Sequence, residues 1–373
     1  MDRFYCVPIT LCTAIIQRSI LRATIRPCKC AWPFCRGYSD CSVNMANSEE
    51  TMLKIIPNLP HNFRAVCSIK DAKTNQSKGL LYRSSNPDYL RLKDVDDLKN
   101  VLDIKCIIDL RSKGEYTHSD GSKFVDERFK LIKVKVPHTL KRFQPDEKIE
   151  TEVPEDSGLC VEKHYLINFF TTPYIWTVYN RAPWYVRLYS LIWLLLDLVL
   201  CTGYQYFVQC FSYSTLNKEG LIGTYKDIVE LSHRSICSAL KLMTDPDNIP
   251  AVINCAHGKD RTGIITALVL SCMGRSVHDI CMDYALSENE LEPIQDRLYD
   301  DIVKRYHWDC SFLHAKYETM LELLSYISDK YGSVQNYLES IGFGQEDQRQ
   351  LCLNLGGEAL KSDSHLNVTS GRL

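Results

Sequence analysis

Residues 254–263 read Asn-Cys-Ala-His-Gly-Lys-Asp-Arg-Thr-Gly, and side chains of these types at this spacing can do covalent chemistry on a phosphate. Cys255 is the candidate nucleophile, because a thiolate forms where a helix start or nearby positive charge lowers the pKa of the thiol. Arg261, six positions on, can return to the same side of a tight loop and hold two phosphate oxygens with its planar fork. Between them, the backbone N–H groups of Ala256, His257, Gly258, Lys259 and Asp260 can converge into a nest for an anion. Thr262 can donate its hydroxyl to the sulfur and make it a better leaving group. Gly258 and Gly263 allow turning and close approach of backbone.

Such a loop needs a strand before it and a helix after it. Residues 251–254 form a short apolar run that suits a buried strand, and 262–273 read as a helix ended at Gly274. The start of that helix adds partial positive charge where the phosphate would sit. Further strands are expected at 79–83, at 104–110 and at 129–136. The second is a nearly continuous apolar run, the mark of a buried parallel strand, and the third alternates. Helical spacing is expected at 94–101, 218–243, 276–286, 296–307 and 312–331, with Pro246 and Pro250 closing the second of these. Residues 137–160 read as a long polar loop.

The stretch 161–211 is unusual. Residues 189–201 are apolar except for Ser190 and Asp197, and aromatic residues flank them. A membrane-spanning helix needs roughly 20 apolar residues, and an aspartate near its centre would cost a few kcal/mol. The expectation is therefore helices that cover a site, with peripheral membrane contact as the other use of the same surface. Residues 1–44 hold six cysteines and six basic residues against two acidic ones. Two readings stand for the 1–57 extension: a segment without fixed structure, or an Arg-rich mitochondrial targeting peptide. Cys28, Cys30, Cys35 and Cys41 match no standard zinc spacing. Residues 346–373 read as a flexible polar tail.

The net charge of −2 gives no basic field for nucleic acid or an anionic membrane. Seventeen scattered cysteines, an odd number, fit free thiols in a reducing compartment, and hence the cytoplasm. A nucleotide-binding loop is excluded, because Gly258-Lys259 is followed by Asp260 and Ile253 stands where the first glycine belongs. A cysteine-protease dyad of Cys255 and His257 fails, since residues two apart on a tight loop are badly placed for it. A phosphate-binding module without turnover would keep the same nest and stands as the alternative.

The loop resembles the Cys-x5-Arg signature of protein tyrosine phosphatases. With Gly-Lys-Asp-Arg-Thr-Gly it is similar to their atypical tyrosine/lipid branch, the PtpB-like family. Four more segments carry the likeness in order: Asn62-Phe-Arg64, Leu81-Tyr-Arg-Ser84, Ile107-Ile-Asp-Leu-Arg-Ser112 and Asp283-Tyr-Ala-Leu-Ser287, with Tyr331-Gly-Ser333 and Tyr337-Leu338 beyond. The resemblance implies an α/β fold: one phosphatase domain over 58–345, a central, mostly parallel sheet flanked by helices, and an apolar helical lid at 161–211. It also implies a phosphorylated protein or phosphoinositide as substrate, with no metal and no cofactor. Cys255 would attack phosphorus, Arg261 and the loop amides would hold the transition state, and water would release the phosphate.

Asp260 is the preferred general acid, with Asp109 and Arg111 as loop support; the reverse assignment waits on geometry. Lys259 and His257 either bind further phosphates, or Lys259 tunes Cys255 while His257 faces solvent. Two departures from the family stand out. Asn254 replaces the usual histidine before the cysteine, and Ala65-Val66-Cys67 follows Asn62-Phe-Arg64 where an aspartate and a glycine pair are usual.

Overall fold

A computed structural model describes residues 56, 58–70, 77–137, 139–144, 147–154 and 160–357. The readings for residues 1–55 and 358–373 lie outside them. The strands are β1 (Arg64–Lys70), β2 (Ser77–Ser84), β3 (Cys106–Asp109), β4 (Lys130–Val134), β5 (Thr151–Glu152), β6 (Lys163–Leu166) and β7 (Ala251–Asn254). They form one sheet in the order β1-β2-β7-β3-β6-β4-β5. Pairing is parallel from β2 through β7, β3 and β6 to β4, and antiparallel only at the two edges. The α/β class with a mostly parallel sheet is therefore as expected.

Central strands of such a sheet are buried on both faces, so their residues are apolar throughout and divide between two cores. Leu81, Cys106, Ile108, Ala251 and Ile253 belong to the larger core. Tyr82, Ile107 and Val252 face the smaller one, with Val95, Leu98 and Phe129.

The first helices are α1 (Leu92–Asn100), α2 (Lys113–Thr117) and α3 (Val125–Arg128). An outer group follows: α4 (Thr172–Arg181), α5 (Trp184–Leu200) and α6 (Gln205–Phe211). Then α7 (Asn217–Leu231) and α8 (His233–Leu242) lead into β7. The chain continues through α9 (Asp260–Cys272), α10 (Val277–Glu290), α11 (Gln295–Tyr299), α12 (Tyr317–Tyr331), α13 (Val334–Ile341) and α14 (Gln345–Asn354).

Four expectations change. The 161–211 stretch is not wholly helical, because β6 lies inside it and pairs with β3 and β4. The run 218–243 is two helices broken at Ser232, whose hydroxyl donates to Phe169 O at 2.7 Å. The regular helix at 296–307 is confined to α11, after which the turns widen over Asp300–Lys304. The tail expected to be frayed begins as α14. Its Leu351, Cys352 and Leu355 are buried, Asp347 pairs with Lys241 at 2.9 Å, and Asn354 donates to the carbonyls of Met243 and Thr244. Polar residues on the outer face of α14 had hidden that apolar stripe.

The register places the site. Asn254 lies opposite Ser84 of β2 on one side and Asp109 of β3 on the other. The chain thus leaves β7 at the carboxyl ends of three parallel strands, and open α/β sheets hold ligands outside that edge.

Candidate active site

From Asn254 the chain turns through 255–259 and enters α9 at Asp260. Gly258 has φ +67°, and a Cβ there would lie 2.2 Å from the Ser84 carbonyl oxygen, so only glycine fits the turn. Neighbouring strands also grip the loop through backbone bonds: Asn86 N–H donates to Ala256 O, and Leu110 N–H to Asn254 O. Cys255 sits on the floor of the loop, 1% exposed.

Three of the four outlying sequence motifs converge beneath this turn, and the fourth, 107–112, borders it through β3. Asn62 donates to the carbonyls of His257 and Gly258, at 3.3 and 2.9 Å. Arg83 donates to Gly258 O at 2.8 Å and pairs with Asp283 at 2.5 Å. Arg64 pairs with the other oxygen of Asp283 at 2.9 Å. Ser287, one helical turn beyond Asp283, accepts from both arginines. Burial opposes the charge on Asp283, yet the two arginines hold its carboxyl below the usual range. The His257 and Gly258 carbonyls are thus satisfied from beneath the loop.

Arg261 is fixed from its far end. Nη1 donates to Glu115 Oε2 at 2.8 Å and to Leu110 O at 3.0 Å; Nη2 donates to Glu115 Oε1 at 2.6 Å. Those bonds use three of the five guanidinium N–H donors. The remaining two, on Nε and Nη2, share one edge, which is the fork that fits two oxygens of a phosphate. Phe170 packs its ring against the guanidinium, 4.9 Å from centroid to Cζ. Burial disfavours the Glu115 carboxylate, but Arg261 outweighs it and holds the pKa below its ordinary value. Sequence reasoning missed Glu115. The available signal was Ser112-x-x-Glu115, a capping box in which Ser112 and Glu115 exchange hydrogen bonds and so orient the carboxylate.

Asp260 and Asp109 have different surroundings. Asp260 is partly exposed at the start of α9, where Tyr225 donates to its Oδ1 at 2.6 Å. Asp109 is fully buried at the end of β3, accepting from Arg111 and from His164. Arg111 also binds Asp88 through both Nη atoms, at 2.7 and 3.1 Å. Burial works against the Asp109 charge, and Arg111 and His164 still hold it well below the usual carboxylate range. A group so held does not carry a proton near neutral pH. Burial likewise pushes His164 down, but Asp109 and Asp126 on its two ring nitrogens raise it to about 9.

Lys259 turns away from the mouth of the loop. Its buried ammonium donates to Phe312 O at 2.5 Å and His314 O at 3.1 Å, and lies 3.6 Å from Asp260 Oδ1. His257 is half-buried, with Nε2 3.3 Å from Asp301 rather than free in solvent. Asn254, standing where the resemblance expects histidine, is fully buried, and neither end of its amide reaches a partner among the described residues. The Thr262 hydroxyl is likewise buried and has no partner among the described residues. Among the described residues no group of three or more histidine, cysteine or acidic side chains could hold a metal ion.

The outer helices are tied to the segment that touches the loop. Gln209 donates to Arg305 O and Ser212 to Tyr306 O, both at 2.5 Å, and Asn217 donates to His307 O at 3.1 Å.

The tyrosine phosphatase family matches residues 58–191 and 205–356. The triple specificity protein phosphatase PtpB of Mycobacterium tuberculosis is 27% identical over 110 residues, 26% of this chain and 40% of that protein. A tyrosine-protein phosphatase of Nostoc commune is 30% identical over 114 residues, 28% of this chain and 38% of that protein. The chain thus spans about two fifths of the length of the curated relatives it matches.

Proposed function

The chain belongs to the tyrosine phosphatase family, and on that premise we propose that it hydrolyses phosphomonoesters through a cysteinyl-phosphate, with phosphotyrosine the first substrate and phosphoserine, phosphothreonine or phosphoinositides further ones. The observation that carries this reading is the Arg261 guanidinium, clamped by Glu115 so that its one unspent edge serves the anion beside Cys255. The thiolate of Cys255 attacks phosphorus and the P–O bond to the leaving group breaks, with Asp260 giving that oxygen a proton. Water then attacks, Asp260 takes its proton, and the S–P bond breaks. Loop amides and the start of α9 hold the charge that gathers on the equatorial oxygens.

Turnover of p-nitrophenyl phosphate by the full chain, lowered by about 10³-fold or more in Cys255→Ser, is the expected result. Equal inertness of both proteins, with inorganic phosphate still bound, would leave a phosphate-binding module and remove the enzyme. A malachite-green comparison of phosphopeptides with phosphoinositides ranks the substrates.

The reading includes contact with a membrane surface through α5. Ile192, Leu195 and Val199 are 70, 63 and 71% exposed on one face, with Trp184, Tyr185 and Leu188 beside them. No helix of the described residues is long and apolar enough to cross a membrane, so contact would be from one side. It also includes a cytoplasmic setting, supported by Cys106, Cys237 and Cys272, which lie buried as small apolar thiols. Fractionation of cells expressing the full chain tests that setting, and recovery in mitochondria would replace it.

A further inference from the structure

The two oxygens of Asp260 are not equivalent. Oδ1 accepts from Tyr225 Oη at 2.6 Å and lies 3.6 Å from Lys259 Nζ, whereas Oδ2 receives no hydrogen bond from the described residues. The side chain is 27% exposed, so a face of this carboxyl remains open. Tyr225 comes from α7 and is completely buried; its hydroxyl is also 2.7 Å from that of Tyr284, a buried residue of α10. Gly263 is what lets Tyr284 approach, because a Cβ there would stand 2.9 Å from the tyrosine ring.

Counting protons gives this chain a direction. Burial first, and the charge of Asp260 next, push the Tyr225 hydroxyl well above its ordinary pKa, and the same two causes act on Tyr284. Both hydroxyls therefore keep their protons at neutral pH. Tyr225 has one proton, which goes to the carboxylate, so Tyr284 must donate to Tyr225. The order is Tyr284 to Tyr225 to Asp260.

We propose that Tyr225, backed by Tyr284, is a positioning residue that occupies Oδ1 of Asp260 and leaves Oδ2 to exchange the proton with the leaving oxygen and then with water. The assignment rests on Asp260 being the general acid. Rotation of a free carboxyl would present either oxygen, or neither, to the departing group. The Tyr225 hydroxyl on Oδ1 removes that freedom, and a proton placed on Oδ2 meets the substrate in one geometry. The other charged or titratable groups facing Asp260 are its chain neighbours: Lys259, whose ammonium is held by two carbonyls, and Arg261, which is held by Glu115.

The test is Tyr225→Phe in the full chain, with kcat/KM followed against pH for phenyl phosphate and for p-nitrophenyl phosphate. A poor leaving group needs the proton and a good one needs it little. The expected result is a loss of roughly tenfold with phenyl phosphate, a much smaller loss with p-nitrophenyl phosphate, and an alkaline limb moved to higher pH. The limb moves up because a donor that favours the carboxylate has gone. Tyr284→Phe should act in the same direction and more weakly, and it carries the test if Tyr225→Phe fails to fold. In an Asp260→Asn background, Tyr225→Phe should add nothing.

Equal losses on both substrates with an unmoved limb would make the tyrosines structural and overturn the proposal. If Asp260→Asn itself costs the same with both leaving groups, Asp260 is not the acid, and the proposal falls with that assignment. A discriminating Asp260→Asn beside a non-discriminating Tyr225→Phe removes the proposal alone.

Discussion

The ground beneath the Cys255 loop and the outward face of α5 break the usual partition of residues in opposite ways. Under the loop, Arg83, Arg111, Asp109 and Lys259 are almost wholly buried, where charged side chains are rare unless paired. On α5, leucine, isoleucine, valine and tryptophan side chains stand in solvent, while the helix's one acidic residue, Asp197, is buried and accepts from the N–H groups of Tyr206 and Phe207. In the first region every charge has a partner inside the chain. In the second, the apolar face is left exposed by the described residues. Buried charges stay in place because each is paired and hydrogen-bonded within the chain, whereas an exposed apolar patch of this kind marks a surface that another molecule can cover.

The largest effect should follow from breaking the internal network. Arg83→Met leaves Asp283 with one arginine and the Gly258 carbonyl with Asn62 as its remaining donor, and a buried ion pair broken from one side costs about 3–5 kcal/mol. Urea unfolding of variant and wild type measures it. A loss below about 1 kcal/mol would mean that the loop does not depend on its underside, and the contrast with α5 would vanish.

Next comes Arg261, the buried charge to which the proposed mechanism gives substrate as well as scaffold. Arg261→Lys keeps a positive charge but loses the fork that meets Glu115 and the phosphate together. Turnover should fall by roughly 10²-fold, the usual cost of one donor aimed at transition-state charge. The thermal midpoint should move less than in Arg83→Met. Activity within a few-fold of wild type would show that a point charge suffices.

How much of this was legible beforehand follows from the same contrast. The loop could be read because its chemistry needs particular side chains at close spacing: Cys255, Gly258 and Arg261 lie within one turn. The motifs around Asn62, Arg83, Asp109 and Asp283 could be quoted as a resemblance, but their common purpose could not. Asn62 and His257 meet across 195 positions, and Arg83 and Asp283 across 200. Spacing carries no such information. Glu115 escaped because a glutamate in the first turn of a short helix looks like an ordinary cap. Strand β6 escaped because Lys163-His-Tyr-Leu166 neither alternates nor forms an apolar run; its neighbours β3 and β4 make it a strand. Tyr225 looked like one more residue of an amphipathic helix.

The internal network should also leave a signature in pH. His164 is raised from 6.5 to about 9 by Asp109 and Asp126, against burial. A group whose folded pKa is raised binds its proton more tightly when folded. Its contribution is thus complete below pH 6.5 and is lost as pH rises through about 9. Unfolding free energy of the wild type should therefore decline across that window, and the difference from His164→Asn should shrink over the same range. A difference independent of pH would mean that the imidazole is neutral when folded, and that hydrogen bonding alone holds it.

The smallest effect on stability, and the sharpest use of the comparison, belongs to α5. Ile192→Gln with Leu195→Gln places polar groups where the side chains are mostly exposed, so unfolding free energy should stay within about 0.5 kcal/mol of wild type. Val186→Gln on the same helix, where the side chain is buried, should cost about 1–3 kcal/mol. With turnover of soluble p-nitrophenyl phosphate unchanged, the double variant should lose its binding to phosphatidylcholine vesicles in a pelleting assay. Aromatic and aliphatic side chains on one helical face bind such a surface through buried apolar area alone, and two polar replacements at its centre remove a large part of that area. If the wild type ignores vesicles but sediments as a dimer, and the double variant as a monomer, the face is completed by a second copy and not by lipid. If neither happens and stability drops sharply, the face was never external to the fold, and the opposition between the two regions fails.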